Sequence, residues 1–423
     1  MVNVFFDSIA SPFYNFGGLS EGNLHSMASK NMYSNPKKAA LDGLEKMKLV
    51  YELGNHQFVL PPLRYDYEVF VDLFSIDGDL NKTFIEDPSL FRSIFSSASI
   101  WLANAWTHIS SVDTINNKMY IRPANLASMR HRSIDVPYTL DILNDLFYFN
   151  DKFILLDPLD SSFYDEGVAN LIRLSEYDYK GFYVGVYGSF NSNKYKPRQY
   201  KTTWKTYYDN NILNHSNFVL IEQNPLAIDS GVFHNDVISF GTSSLLVVHE
   251  YAFTNQRYIL EKLKDKYLTF FNEPLTVVEI PDSLLSIKDA LNLYFFNSQI
   301  VSLNSELFCL ILPMKCKDNN VINKCIEKIR SSWKYSLDLR YVDLDESLKN
   351  GGGPACLRNV GYFLDHEIHL INNKYRFNYN NYKKIKHFIL NNYPDKFYID
   401  QLLDKDYLKK LNNINKEIHS FFS

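Results

Sequence analysis

Asn350-Gly351-Gly352-Gly353-Pro354-Ala355-Cys356-Leu357-Arg358 is the densest chemical signal in the chain. Three consecutive glycines admit backbone conformations and close approaches that a Cβ obstructs, and a cysteine follows within one turn of chain. The thiolate is the reactive form of cysteine, so a nearby cation or exposed backbone N–H groups would draw its pKa below the free value of about 8.5. Cysteine is more often a small buried hydrophobe; the glycine run is what points to chemistry at Cys356. A phosphate cradle is a second reading of the glycines, but no Gly-Lys-Ser/Thr follows them.

A nucleophilic cysteine needs a proton-transfer partner. His234 stands in Asp229-Ser230-Gly231-Val232-Phe233-His234-Asn235-Asp236, where Asp229 or Asp236 could hold a guanidinium, because a carboxylate is a planar bidentate acceptor matched to that fork. Asp165-Glu166-Gly167-Val168-Ala169-Asn170 offers another carboxylate beside glycine at a strand-to-helix junction, where an acidic residue is also favoured by the helix dipole. His366-Glu367-Ile368-His369 lacks the i, i+4 histidine spacing of a zinc helix, so a solvated turn or helix face is expected there and no catalytic metal.

Outward from these clusters, Ser34-Asn35-Pro36 supplies a cap and a first-turn proline, and Ala40, Leu44, Met47 and Tyr51 recur at helical spacing until Gly54. Phe182–Tyr187, Phe218–Ile221, Leu245–His249, Leu275–Ile280 and Leu307–Leu312 read as short buried strands, separated by helical patterns over Ala252–Tyr267, Ser286–Tyr294 and Val321–Trp333. Strands and helices alternate, so the class is α/β or α+β. The 423 residues exceed one ordinary core, which suits two or three domains or one architecture of repeated layers, yet no linker or sequence self-similarity at a fixed period appears. From about residue 372 the chain is rich in Asn, Lys and Tyr but keeps the periodicity of packed helices.

Composition narrows the function classes. With 46% hydrophobic and 22% charged residues the chain reads as a soluble globular protein. A net charge of -4 gives no general attraction to nucleic acid. No apolar run approaches the length of a membrane span, and the N-terminus lacks the basic and apolar regions of a secretory signal. Four cysteines without CxxC pairing suggest reduced thiols in a cytoplasmic setting.

Taken together, the Cys356 and His234 segments resemble the signature segments of the N-succinylarginine dihydrolase family. Gly18-Leu19-Ser20, Gly22-Asn23, Ser34-Asn35-Pro36, Gly43-Leu44-Glu45-Lys46-Met47-Lys48, Ser96-Ser97-Ala98-Ser99, Ala103-Asn104-Ala105, His131-Arg132-Ser133, Gln223-Asn224-Pro225 and Phe296-Asn297-Ser298-Gln299 follow in the family's order. The resemblance covers nearly the whole chain and weakens beyond about Arg358. It implies an α/β propeller (pentein) of five ββαβ modules around a central active site, a fold shared with arginine deiminases and amidinotransferases. The chain would then be one catalytic domain over residues 1–423, with a divergent helical tail from about 372.

The same resemblance implies that Cys356 is the nucleophile, His234 the general acid/base, and Glu166 the carboxylate that holds and helps activate the guanidinium. Asp236 matches a further substrate carboxylate. Asn104, His131, Arg132, Arg198 and Asn350 match substrate-binding positions, and the pocket loop corresponds to Gly17, Gly18, Leu19, Ser20, Glu21, Gly22, Asn23, Leu24, His25 and Ser26. The implied substrate is N2-succinylarginine, hydrolysed to N2-succinylornithine, two ammonia and carbon dioxide through an S-amidino cysteine, without a cofactor, by a homodimer that binds neither nucleic acid nor membrane. Phe13, Tyr14, Phe16, Gly17, Glu21, Leu171, Trp106 and His108 depart from the family's pattern and predict an altered pocket wall. A different guanidino substrate (free arginine, another guanidine or protein arginine) is thus a second reading, and a catalytically silent binding protein a third.

Overall fold

The helix announced by Ser34-Asn35-Pro36 spans Pro36–Glu52. The Asn35 side chain accepts the Lys38 N–H at 2.8 Å, and Pro36 sits in the first turn, where a missing N–H costs nothing. Ala39, Ala40, Gly43, Leu44, Met47 and Val50 form the buried face, the three- and four-residue spacing of an amphipathic helix. The computed structural model describes residues 1–63, 80–176 and 180–422.

That helix is the crossover of the first of five repeated units. It joins β1 (Val2–Ser8) to β2 (His56–Leu60), which pair in parallel. In the second, β3 (Trp106–Ile109) pairs antiparallel with β4 (Met119–Pro123), and helix Val136–Leu146 leads to parallel β5 (Phe153–Leu155). The third has β6 (Leu171–Glu176), β7 (Lys180–Tyr187), helix Lys201–Asp209 and β8 (Phe218–Glu222). The fourth has β9 (Ser239–Thr242), β10 (Leu245–His249), helix Gln256–Phe271 and β11 (Thr276–Ile280). The fifth has β12 (Gln299–Ser302), β13 (Leu307–Pro313), helix Asn320–Ser332 and β14 (Ser336–Val342). Finally β15 (Arg358–Phe363) returns to pair antiparallel with β1 and completes the first unit.

Among the described residues the result is five three-stranded sheets of one ββαβ design, the α/β propeller that the resemblance implies. β15 lies against β3, and β6 against β9, so the first strands of the modules face one another around the centre. The absence of self-similarity in the sequence therefore did not mean the absence of a repeat. What recurs is a hydrogen-bonding pattern with apolar seams, which many side-chain combinations satisfy. Phe240, Val247, Phe308 and Leu310 belong to a seam between the fourth and fifth modules, and Tyr120, Tyr183, Trp204 and Phe218 to one between the second and third. The expected strands and helices agree with the observed ones to within a few residues. His366 and His369 fall in a short 3-10 turn, Asp365–Leu370. After residue 372, helices Tyr379–Asn392 and Lys405–His419 bury Ile385, Ile389, Leu411 and Ile418 in the principal core.

One charge is embedded in that core. Lys46, on the buried face of the first crossover helix, is 0% exposed, and its ammonium contacts the Asp7 carboxylate of β1. Gln57 of β2 donates to the other Asp7 oxygen at 2.9 Å. Burial pulls the Lys46 pKa down, opposed by Asp7. Asp7 is also the register partner of Arg358, so this group fixes the strand on which the end of the cysteine segment is laid. Lys46→Met, which leaves the carboxylate unpaired in an apolar core, should cost about 3–5 kcal/mol. Urea denaturation measures the loss, and the double variant Lys46→Met/Asp7→Leu should recover part of it.

Candidate active site

The propeller delivers polar residues to its centre at the points where the chain enters the first strand of each module. Asn104 stands two residues before β3, Asn297 two before β12 and Cys356 two before β15. Asp236 precedes β9, and Glu166 precedes a 3-10 turn, Gly167–Asn170, that runs directly into β6. Gly167 has φ +61, and a Cβ there would lie 2.9 Å from the backbone of Ala103 and Asn104. Glycine is what lets the second and third entries touch.

Cys356 lies in the turn Pro354–Leu357 and is 3% exposed. Its Sγ is 3.5 Å from Asp236 Oδ2, to which the thiol donates, and it accepts a hydrogen bond from Asn297 Nδ2 at 3.2 Å. Burial and the Asp236 charge push the thiol well above its ordinary value, against smaller opposing effects from Asn297 and the backbone of Gly353. This corrects the expectation of a lowered thiol: the nearest charged side chain to the sulfur is an anion. Asp236 is itself raised to about 6, chiefly by burial, and its Oδ1 has no hydrogen-bond partner among the described residues.

His234 shares the cavity with Cys356. Its Nε2 is 3.1 Å from Glu166 Oε2. A carboxylate only accepts, so in the neutral ring Nε2 carries the hydrogen and Nδ1 is left to take a proton. Burial lowers the His234 pKa to about 4, with Arg198 and Arg132 adding to burial and Glu166 resisting. The ring is therefore neutral at pH 7 and competent as a base. Glu166 is 0% exposed and receives Arg132 and Ser128 on one oxygen, with Asn104 at 3.4 Å and His234 on the other. Burial alone would raise it, but Arg132 and His234 hold it well below the usual carboxylate range.

Glu166 does not line the cavity. Its oxygens are engaged by protein donors, which places it behind the imidazole as the group that orients it. The carboxylate in contact with the Cys356 sulfur is instead Asp236, which does not line this cavity either and borders a second chamber behind Cys356 with Arg358 and Tyr362.

The cavity in front of the sulfur has about 500 Å³ of empty space. Among the expected residues, Gly17, Gly18, Leu19, Ser20, Asn23, Ser26, Asn104, His131, Arg132, Arg198, His234, Asn350 and Cys356 line it. Arg198 donates to Ser20 Oγ at 3.0 Å and to the Glu21 carbonyl at 2.5 Å, both uncharged acceptors, and lies over the Phe233 ring. Burial lowers this guanidinium to about 9 with help from Arg132, and it remains a cation at neutral pH. Burial and the same arginines hold His131 well below its ordinary value. The Asn23 amide donates to Gly351 O at 2.8 Å, a contact possible because Gly351, at φ +96, has no Cβ.

Four residues of the expected loop do not line the cavity. Glu21 and Leu24 are exposed, Gly22 packs under Tyr195, and the His25 ring sits on Tyr294. The altered wall expected from the departures is likewise corrected, except at Gly17, which lines the cavity. Phe13, Tyr14, Trp106 and His108 are buried in the core, and Leu171 borders the rear chamber. Reasoning from sequence passed over Asn15, Trp101, Phe233 and Asn297 as site residues. Their motifs carry no chemistry alone, and only the fold brings them together.

Comparison with known proteins agrees with this geometry. The family model described as succinylarginine dihydrolase matches residues 1–423. An N-succinylarginine dihydrolase of Pseudoalteromonas translucida is 34% identical over 420 residues, covering 96% of this chain and 92% of its own. One from Legionella pneumophila is 36% identical over 382 residues, covering 86% and 84%. Among solved structures, the cyanobacterial arginine dihydrolase ArgZ in its apo form superposes with a TM-score of 0.54 at 12% identity, over 86% of this chain and 42% of that one. The product-bound N-terminal domain of ArgZ gives 0.50 at 13%, over 86% and 100%. These two likenesses establish the propeller fold.

In the unliganded protein at pH 7, iodoacetamide should label Cys356 more slowly than a free thiol of pKa about 8.5, with the rate still rising above pH 9. Peptide mass mapping of the label checks this; a rate already at plateau by pH 7 would contradict the raised thiol.

Proposed function

The chain belongs to the succinylarginine dihydrolase family, and from that premise we propose that it hydrolyses N2-succinylarginine to N2-succinylornithine, two ammonia and carbon dioxide. The observation that carries this reading is the polarity of one cavity. Cys356 lines it, with the Asp236 carboxylate in contact behind the sulfur, and Arg198, which has no ion pair among the described residues, stands on its wall. A substrate that joins a guanidinium to an acylated amino acid bearing carboxylates matches both ends.

In this reading the guanidinium enters against Asp236 and brings a positive charge beside the Cys356 thiol. That cation offsets the carboxylate that keeps the thiol protonated at rest. The proton passes to neutral His234 at Nδ1, and the thiolate adds to the guanidinium carbon. His234 returns the proton to the departing nitrogen as ammonia leaves, and an S-amidino cysteine remains. His234 then takes a proton from water, hydroxide adds to the same carbon, and the C–S bond breaks to give the ureido compound. A second passage of attack and hydrolysis consumes another water and releases the second ammonia and carbon dioxide. Glu166 keeps the imidazole in the required tautomer throughout, the part played by a buried carboxylate behind a catalytic histidine.

The reading takes residues 1–423 as one catalytic domain, its helices after about residue 372 being a divergent tail packed on the propeller, and places a homodimer in the cytoplasm. Among the described residues no helix is long and apolar enough to cross a membrane. Of the departures that favoured another guanidino substrate, Gly17 lines the cavity without bringing a charge to it, the Glu21 carbonyl is held by Arg198, and the others lie away from it, which supports the succinylated substrate over free arginine.

Purified protein given N2-succinylarginine should release two ammonia per substrate consumed, and Cys356→Ser should abolish the release. Arg198→Met should weaken kcat/KM by roughly 10²-fold or more, on the order of 3 kcal/mol for a lost charged contact. Turnover of free arginine in preference to the succinylated compound would overturn the substrate assignment.

A further inference from the structure

Asn297 occupies, in the fifth module, the place that Asn104 and Cys356 occupy in theirs, two residues before the first strand. It is 0% exposed, and every polar group of its side chain is directed at the cysteine segment or the Asp236 entry. Nδ2 donates to Cys356 Sγ at 3.2 Å and to the Asp236 carbonyl at 3.1 Å, while Oδ1 accepts the Cys356 N–H at 3.2 Å. The Asn297 carbonyl accepts the N–H of Ala355 at 3.0 Å. A carbonyl oxygen cannot donate and the Cys356 N–H cannot accept, so these neighbours fix which end of the amide is nitrogen. Gly353 is needed for the approach, because a Cβ there would stand 2.7 Å from Asn297 Oδ1.

We propose that Asn297 is a further catalytic residue, which stabilises the Cys356 sulfur anion by an N–H hydrogen bond and sets the direction of the sulfur by gripping the cysteine's own backbone. The proposal rests on the assignment of Cys356 as nucleophile. A hydrogen bond to a charged acceptor is roughly twice as strong as one to a neutral acceptor, so the Asn297 amide favours the ionised sulfur over the thiol. It also works on departure, when the C–S bond breaks and the sulfur regains its negative charge. Asp236, whose carboxylate also contacts the sulfur, resists ionisation. Arg198 and Lys46 are the cations within electrostatic reach of the sulfur, and Tyr294 is a further neighbour. None of these three has a hydrogen bond to the sulfur among the described residues; beside the backbone of Gly353, the Asn297 N–H is the side-chain contact that favours its ionisation.

Asn297→Ser and Asn297→Asp test the idea. The first removes the donor; the second keeps an acceptor for the Cys356 N–H but sets a carboxylate oxygen against the sulfur. The midpoint of iodoacetamide labelling of Cys356 against pH should rise by on the order of one unit in Asn297→Ser, the equivalent of about 1.4 kcal/mol, and further in Asn297→Asp. kcat should fall by on the order of a hundredfold, with KM little changed. A merely structural role would lower the melting temperature and leave the labelling midpoint in place, and an unchanged midpoint in a folded variant overturns the proposal. If neither variant folds, 15N-asparagine-labelled wild-type protein decides. One side-chain amide proton should move downfield with the labelling midpoint of Cys356, and a spectrum in which no asparagine follows that titration refutes the contact. The labelling requires no substrate, so a shifted midpoint in a protein inactive on N2-succinylarginine would refute the substrate and leave the role of Asn297 standing.

Discussion

Antiparallel pairing of β1 with β15 is the constraint on which the rest of the molecule depends. It joins residues 2–7 to residues 358–363, and closing a loop of that length costs roughly 5 kcal/mol in chain entropy. A six-residue ladder does not offset that cost alone. The buried group of Lys46, Asp7 and Gln57 ties β1 to its crossover helix and to β2, so β15 is laid on a strand already held on its other side. Because Cys356 ends two residues before β15 begins, the same pairing that completes the ring carries the cysteine to the centre. Stability of the closure and placement of Cys356 are one event.

Ring geometry also accounts for the make-up of the site. Five modules give five entries into five inner strands, and the polar residues at those entries converge whatever their distance along the chain. Asn104, Asn297 and Cys356 share one structural position, two residues before an inner strand, and Asp236, His234 and Glu166 stand slightly farther back from theirs. Each entry stays narrow because its neighbours come close, as the crowding around Gly167 and Gly353 shows. A substitution at one entry is accordingly felt at the next, through contacts such as that of Asn104 with Glu166 at 3.4 Å.

The legibility of this arrangement in the sequence divides along a physical line. Local signals were readable: the cap and proline before Pro36–Glu52, and the short apolar run of β10, need only neighbouring residues to specify them. Chemistry carried by rare combinations was readable too, since a glycine run beside cysteine, or histidine beside two carboxylates, has few other uses. Signals completed by distant residues were not. Lys46 interrupts the apolar face of its helix and looks solvated until Asp7 and Gln57 are placed beside it. Phe13, Tyr14, Trp106 and His108 looked like changes to a pocket wall because they adjoin site motifs in the chain. One residue along a strand, however, exchanges the centre of the ring for the core between modules. Asn297 was visible only as part of a resemblance, because a lone asparagine before a strand says nothing until the sulfur lies 3.2 Å from it.

The raised thiol gives these contacts a common logic. An enzyme that must attack a cation gains little from a thiolate formed in advance, which would be stabilised as strongly without substrate as with it. Here Glu166 is matched by Arg132, and a neutral thiol faces Asp236. The cation that would ionise the sulfur is supplied by the guanidinium to be cleaved, so reactivity and occupancy rise together. In the proposed mechanism Asp236 both seats the guanidinium and restrains the empty site, since one charge does both. The same arrangement favours turnover. When ammonia leaves and the carbon is hydrolysed to the neutral ureido stage, the cation beside Asp236 disappears and the sulfur loses part of its support. The second attack must therefore lean more on fixed donors than the first, and among the described residues the fixed N–H donor from a side chain at the sulfur is that of Asn297.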